Sequence, residues 1–161
     1  MKFAVFCVMC GVSTAHLHLF DLERDLMAKI KKINHVAILV KDIESALGFW
    51  RDQLGLELDH IEDVPSQASK VAFLPVGEGE VELVQPTEID TGLANYLEKR
   101  GEGMHHLCIQ VDDIEQMLNI LQEKGVRLIN AEPVDLPGRR MAFIHPKAAN
   151  GVLVELYEVT D

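Results

Sequence analysis

The sequence predicts an α+β fold in which two βαβββ modules join into one cupped sheet. The main observation is an internal repeat: residues 35–47 align without a gap with residues 106–118, and both stretches begin with a histidine. A second repeat, Val-Glu-Leu, occurs at residues 81–83 and again at 154–156. Both halves also show the same order of strand and helix patterns. A module of this kind covers one face of its sheet only, so two must combine to enclose a site.

The composition is that of one globular domain. The chain has 161 residues, 48% of them hydrophobic and 25% charged, which is enough to bury a core. The formal net charge of −11 argues against binding to nucleic acid or to an anionic membrane, because both require basic patches. The cysteines make no disulfide framework, and Cys108 lies in an apolar strand pattern where a buried free thiol is expected. We therefore expect a cytoplasmic protein without nucleic-acid or membrane partners.

The first 26 residues lie outside the repeat. Lys2 precedes an apolar run at residues 3–12, which is the outline of a signal peptide, although the run is too short to span a membrane. An extra helix and an extension not native to the domain are the alternatives, and the periodic sequence begins only after Met27. We interpret residues 1–26 as an N-terminal extension. Residues 30–160 are then a single domain with modules at residues 30–90 and 101–160.

The first module opens with a strand at residues 33–40, where apolar residues recur with a period of two. Its valine and isoleucine side chains share one face, and His35 lies on the other. Asp42 is placed to cap a helix that has apolar residues at the spacing of one helix face and ends at Gly55. Further strands are predicted at residues 56–61, 70–74 and 80–84, with a loop at residues 62–69.

The second module repeats this order after a connecting helix at residues 91–100. A strand at residues 106–111 leads to Asp113, which caps the next helix, and Gly125 ends that helix. Strands are predicted at residues 126–130, 141–145 and 151–157, with a loop at residues 132–139.

Strand parity places four polar side chains on the concave side of the predicted sheet. In each opening strand the bulky apolar residues must face the helix, which leaves His35 and His106 on the other face. The same reasoning places Glu82 and Glu155 in the concavity, because the flanking valine and leucine take the helix side. A lone His or Glu on a strand is most often structural. The recurrence of both in each half favours a ligand, since burying four such groups otherwise costs free energy.

Two imidazoles and two carboxylates suit a divalent ion such as Zn, Co, Ni, Mn or Fe(II). We therefore predict a metal site formed by His35, Glu82, His106 and Glu155. On an octahedral ion, four protein ligands would leave two positions for water or for a chelating substrate.

Other polar residues are weaker candidates. His105 is expected to point away from its neighbour His106 and to have a structural or supporting role. His60 is expected to be exposed, and His145, at a strand end, is open to a substrate contact or to a loop role. A local basic cluster consists of Arg139, Arg140 and Lys147. We interpret it as a solvated turn, and a contact with a phosphate or carboxylate is the alternative.

These motifs resemble the vicinal oxygen chelate superfamily, which has the glyoxalase-like fold, and within it the methylmalonyl-CoA epimerase family. Members of the superfamily pair βαβββ modules around a divalent metal. The resemblance covers residues 30–160 and rests on the stretches 34–38, 71–77, 101–107, 143–147 and 151–156. The first and third stretches are common to much of the superfamily, and the last two together are more particular to the epimerases.

The resemblance implies that His35, Glu82, His106 and Glu155 bind a divalent metal ion, with Co²⁺ expected and Mn²⁺, Ni²⁺ or Zn²⁺ as alternatives. It implies an acyl-CoA thioester as partner, a homodimer, and interconversion of (R)- and (S)-methylmalonyl-CoA by α-proton abstraction through a metal-stabilised enediolate. Glu155 is a candidate for the proton acceptor. Some bacterial epimerases carry a second glutamate on the strand that corresponds to residues 70–73. No carboxylate stands there in this chain, so the second acid/base group is left open.

Two other functions of the same fold are the alternatives. A glyoxalase I-type lyase uses a similar ligand set on a hemithioacetal, but the run His145-Pro146-Lys147 differs from its typical sequence at that place. A resistance protein binds a small molecule between the modules, and such proteins generally lack a complete set of metal ligands.

Overall fold

The computed structural model describes residues 28–160, and the extension predicted at residues 1–26 lies outside them. Three helices and one eight-stranded sheet make up the described chain. The helices are α1 (Ile43–Trp50), α2 (Gly92–Arg100) and α3 (Ile114–Glu123). The strands are β1 (Ile30–Leu39), β2 (His60–Val64), β3 (Ser69–Val76), β4 (Gly79–Pro86), β5 (Gly103–Val111), β6 (Val134–Leu136), β7 (Arg139–Ile144) and β8 (Leu153–Val159).

The strand order β2-β3-β4-β1-β5-β8-β7-β6 confirms the predicted pair of βαβββ modules. Within each module the opening strand pairs in parallel with the closing strand, β1 with β4 and β5 with β8. The antiparallel pair β1·β5 joins the modules at the centre of the sheet. The registers are equivalent too, because the residue two positions after each cavity histidine pairs with a glutamate: Ala37 with Glu82, and Cys108 with Glu155.

Helices α1 and α3 cover the convex face at equivalent places. Asp42 and Asp113 cap them by accepting hydrogen bonds from the backbone N–H three residues later, each at 2.8 Å, because the first turn of a helix has N–H groups without intrahelical partners. A side chain of the closing strand, Gln85 or Glu158, accepts from the first residue of each helix at 2.9 Å. These bonds attach each helix to its module, as the repeat predicts.

The apolar side chains of the sheet divide between its faces as parity predicts. On the convex face they form two clusters, one under each of these helices. On the concave face Ala37 and Leu39 are completely buried in a cluster with Val84 that packs against the connecting helix α2. Helix α2 therefore closes part of the concavity on the side of the first module.

The edge strands differ from the prediction in both modules. β2 begins at His60 instead of residue 56, and a short 3₁₀ turn (Pro65–Gln67) stands in the predicted loop. In the second module the predicted strand at residues 126–130 makes one isolated bridge, Leu128 to Ile144. The edge strand β6 lies instead in the predicted loop, where it forms a hairpin with β7. Short edge strands are set by the partner that they pair with, which the local sequence does not encode.

No helix among residues 28–160 is long and apolar enough to cross a membrane.

Candidate functional site

The concave face encloses a cavity of about 660 Å³, and all four predicted ligands line it. His35, His106 and Glu155 are buried, with 5%, 8% and 5% of their surface exposed. His35 and His106 come from the two central strands and the glutamates from the strands that flank them. The structure thus brings together the residues that the repeat and strand parity singled out.

Three potential metal-binding atoms of this set lie close together. The Nε2 atoms of His35 and His106 are 3.0 Å apart, and Oε2 of Glu155 lies 2.8 Å from Nε2 of His106 and 3.4 Å from Nε2 of His35. Donors bound at right angles to one divalent ion, at about 2.1 Å from it, are separated by about 3 Å. The spacing of these atoms therefore fits a shared ion.

The fourth side chain approaches from a different direction. Oε1 of Glu82 lies 3.3 Å from Nδ1 of His35, beside the ring nitrogen that does not face His106. Two residues that the sequence reasoning missed stand nearby. A carboxylate oxygen of Glu80 lies within 4.8 Å of ligand atoms of His35 and Glu82. The Cys108 sulfur likewise lies within 4.8 Å of ligand atoms of His35 and Glu155. The alternation of side chains along a strand could have identified both residues, since Glu80 shares a strand face with Glu82, and Cys108 with His106.

Each cavity histidine has a polar partner immediately before it in the chain. Oδ1 of Asn34 lies 3.0 Å from Nδ1 of His35, and Nδ1 of His105 lies 2.9 Å from Nδ1 of His106. The β1·β5 pairing skips Asn34 on one strand and His105 on the other. An extra residue of this kind is a β-bulge, which interrupts the alternation of side chains. The prediction that His105 points away from His106 was therefore wrong.

These partners determine where the ring protons lie. The Asn34 amide donates through Nδ2 to Gln110, so its Oδ1 accepts from Nδ1 of His35. Burial, with the charge of His106, lowers the pKa of His105 to about 4, so His105 is neutral at pH 7 and able to accept from Nδ1 of His106. With the ring protons on Nδ1, both Nε2 atoms are free to present lone pairs to an ion beside Glu155. Three converging acceptors repel one another unless a cation or a proton lies between them, and the donor set fits a metal ion.

The two glutamates have opposite electrostatic environments. Burial raises the pKa of Glu82 to about 7, and repulsion from Glu155 and Glu80 adds to it, against the attraction of His35. Burial acts to raise the pKa of Glu155. In the metal-free protein, where protons on Nε2 of His106 and His35 take the place of an ion, hydrogen bonds from these rings outweigh burial and lower the pKa to about 2. Burial lowers the pKa of His35, but the hydrogen bond to Glu155 and the charges of nearby glutamates raise it overall. Glu155 is thus the ionised carboxylate at the centre of the site.

The weaker candidates fall into two groups. His60 lines the cavity, although its side chain is half exposed; its ring stacks on Phe73 at 4.4 Å, and its Nδ1 lies 2.8 Å from Asp59. Arg139 also lines the cavity. The others lie outside it: Arg140 is held by Glu115 and Asp135, and His145 accepts a hydrogen bond from the backbone N–H of Lys147 in a turn.

Comparison with known proteins places the chain among proteins of this fold. A sequence model of the Glyoxalase/Bleomycin resistance protein/Dioxygenase superfamily matches residues 34–143. The mitochondrial methylmalonyl-CoA epimerase of Mus musculus is 37% identical over 130 residues, which are 80% of this chain and 73% of the relative. The ethylmalonyl-CoA/methylmalonyl-CoA epimerase of Cereibacter sphaeroides is 38% identical over 133 residues, 81% of this chain and 99% of the relative.

A solved structure shares the architecture as well. A variant of the methylmalonyl-CoA epimerase of Streptomyces coelicolor, in complex with 2-nitronate-propionyl-CoA, matches with a TM-score of 0.75 and 30% identity. The match covers 82% of this chain and 96% of that one. The superfamily model spans both cavity histidines and Glu82.

Proposed function

Because the chain belongs to the Glyoxalase/Bleomycin resistance protein/Dioxygenase superfamily, and within it to the methylmalonyl-CoA epimerase family, we propose that it interconverts the (R) and (S) forms of methylmalonyl-CoA. The observation that carries the proposal is the convergence of His35, His106 and Glu155 in one cavity that Glu82 also lines. The cavity has the size of a small-molecule site. We expect it to take the acyl end of the thioester and to leave the nucleotide end outside.

His35, His106 and Glu155 would hold a divalent ion. Glu82, whose Oε1 lies 3.3 Å from Nδ1 of His35, would have to turn toward the Nε2 side of that ring to become the fourth ligand. The bound ion would supply positive charge close to the thioester and carboxylate oxygens of the substrate, which makes the α-proton easier to remove. Co²⁺ as the ion, with Mn²⁺, Ni²⁺ or Zn²⁺ as alternatives, stays a prediction. The homodimer and the cytoplasmic location also stay predictions.

Glu155 is the proposed proton acceptor on one face of the substrate carbon. Its pKa of about 2 in the metal-free protein leaves it ionised at neutral pH, and a bound cation would favour the same form, so it is in the form that takes up a proton. Phe143 pairs with Glu155 across the sheet, and Phe73 with Glu82, so an aromatic ring stands beside each carboxylate in the cavity. These rings make the cavity wall beside each carboxylate apolar.

Epimerisation also needs a proton-transfer group on the opposite face of that carbon. β3 presents Val71 and Phe73 to the cavity, neither of which transfers protons. The neighbouring strand β2 pairs Glu62 with Val71 and His60 with Phe73, and both titratable side chains line the cavity. We therefore assign the second acid/base function to this pair of residues.

The proposed activity is tested by isotope exchange. The protein, supplied with Co²⁺ or Mn²⁺, is incubated with (S)-methylmalonyl-CoA in deuterated water, and we expect α-deuterium to appear together with the (R) epimer. Nuclear magnetic resonance measures the deuterium, and an (R)-specific coupled assay measures the epimer. Absence of exchange, with turnover of the methylglyoxal hemithioacetal instead, would contradict the proposal and favour a lyase.

A further inference from the structure

The cavity that holds the four site residues is rich in negative charge. Of the described residues that line it, four are glutamates, at positions 62, 80, 82 and 155, and Arg139 is the single lysine or arginine. The proposed substrate carries a free carboxylate on the reacting carbon. That carboxylate would enter against the repulsion of these glutamates, so a cation that contacts it directly has a large effect on binding.

The direction of Arg139 follows from the alternation along β7. Met141 and Phe143 line the cavity with it, two and four residues further along the strand. Tyr157 lines the same cavity from the neighbouring strand β8, where it pairs with Met141, so it stands diagonally opposite Arg139 in the cavity wall. The ring of Tyr157 in turn lies 6.4 Å from the ring of His35.

Arg140, the next residue along the chain, is already paired with carboxylates, in contrast to Arg139. Arg140 faces the other side of β7, where Nε lies 2.9 Å from Asp135 and the guanidinium also pairs with Glu115. Its donors are taken up by these carboxylates. Among the ion pairs of residues 28–160, none within 4.0 Å involves Arg139.

We infer that Arg139, with the hydroxyl of Tyr157 beside it, binds the free carboxylate of the acyl group and makes the site selective for carboxyl-bearing thioesters. This inference rests on the proposed function. A guanidinium matches a carboxylate with two parallel hydrogen bonds. The phosphates of CoA are anions too, but the long pantetheine arm separates them from the acyl group. Arg139 lines the same cavity as the four predicted ligands, so it is placed to meet the acyl end.

The test compares ligands with and without the carboxylate. We expect Arg139→Gln, in the metal-loaded protein, to weaken binding of methylmalonyl-CoA by about 10- to 100-fold, the loss typical of a hydrogen-bonded charge pair. Binding of propionyl-CoA, which lacks the carboxylate, should be unchanged. The matched control Arg140→Gln should leave both affinities as they are. Isothermal titration calorimetry measures the affinities, and thermal unfolding checks that each variant folds.

Two results of the binding measurements would contradict the proposed role of Arg139. Equal weakening for propionyl-CoA and methylmalonyl-CoA would overturn the inference and place Arg139 on the CoA moiety; unchanged binding of both would overturn it as well. If Arg139→Gln does not fold, Arg139→Lys takes its place: it keeps the charge but loses the two-pronged geometry, so the preference for the carboxylate should fall and not vanish. Failure of the wild type to exchange deuterium would reject the proposed function, independently of these affinities.

Discussion

Asn34 and His105 show how a single extra residue changes the chemistry of the site. Each stands in a bulge of the central strand pair and contacts Nδ1 of the histidine that follows it. Strand parity correctly placed His35 and His106 in the concavity, because it needs only alternation over a few residues. It failed for His105, because a bulge arises from the pairing of two distant strands, which the local sequence does not reveal.

Removal of the Asn34 amide should weaken metal binding without unfolding the protein. Asn34→Ala takes away the acceptor that orients the ring of His35, and loss of such an outer partner typically costs about 10- to 100-fold in metal affinity. His106→Ala, which removes a proposed ligand, should abolish stoichiometric binding. Competition with a chromophoric chelator measures the affinity, and His145→Ala, outside the cavity, is the control. Full affinity in Asn34→Ala would contradict the orienting role, and stoichiometric metal in His106→Ala would reject the ligand set.

The raised pKa of Glu82 predicts a pH dependence of the metal-free protein. A carboxyl group with a folded pKa of about 7, above its usual 4.5, stabilises the fold below pH 4.5 and loses this contribution as the pH rises toward 7. Between pH 5 and pH 6.5 we expect the free energy of unfolding to fall by up to about 2 kcal/mol. Urea unfolding in the presence of a chelator measures it. Glu82→Gln should flatten this dependence; an unchanged slope in that variant would assign the effect to other groups.

At the level of helices and strands, the repeated features were predictable and the edges were not. The caps Asp42 and Asp113 and the apolar stripes of α1 and α3 were evident, because local side-chain to backbone bonds and helical spacing define them. β2 and β6 were misplaced. Each pairs on one side only, so its position depends on a partner and on hairpin geometry, as in the turn at Gly138, where φ is 71°.

The edge strand β2 is also where the two halves of the cavity differ in chemistry. It offers His60 and Glu62, whereas no residue of its counterpart β6 lines the cavity and the segment before β6 contributes Ile129. If these two side chains serve the face opposite Glu155, the double variant His60→Gln/Glu62→Gln should exchange the α-proton of one epimer with deuterium, and slow its conversion to the other by about 100-fold or more. Starting from each epimer in turn separates the two faces. Equal loss of exchange from both epimers would contradict a role on one face.

At the scale of the whole molecule, the chain is acidic, and the proposed substrate, methylmalonyl-CoA, is an anion as well. The net charge of −11 excludes general attraction of anions, so recognition has to come from local groups: the proposed ion and Arg139. The sequence singled out the histidines and glutamates, because their recurrence marks them. It did not single out Arg139 from Arg140, since both stand in one basic run and only the direction of β7 separates them.

The central pair β1·β5 has a consequence for the origin of the site. Each module contributes one histidine and one glutamate to the predicted ligand set, and the two histidines meet across this seam. A chain of half the length would therefore contain all the information that the site requires. Two copies of it, related by a twofold axis along the same seam, would assemble the same four donors between subunits. Fusion into one chain leaves the halves free to diverge, as the glutamates at positions 62 and 80, present only in the first half of the cavity, illustrate.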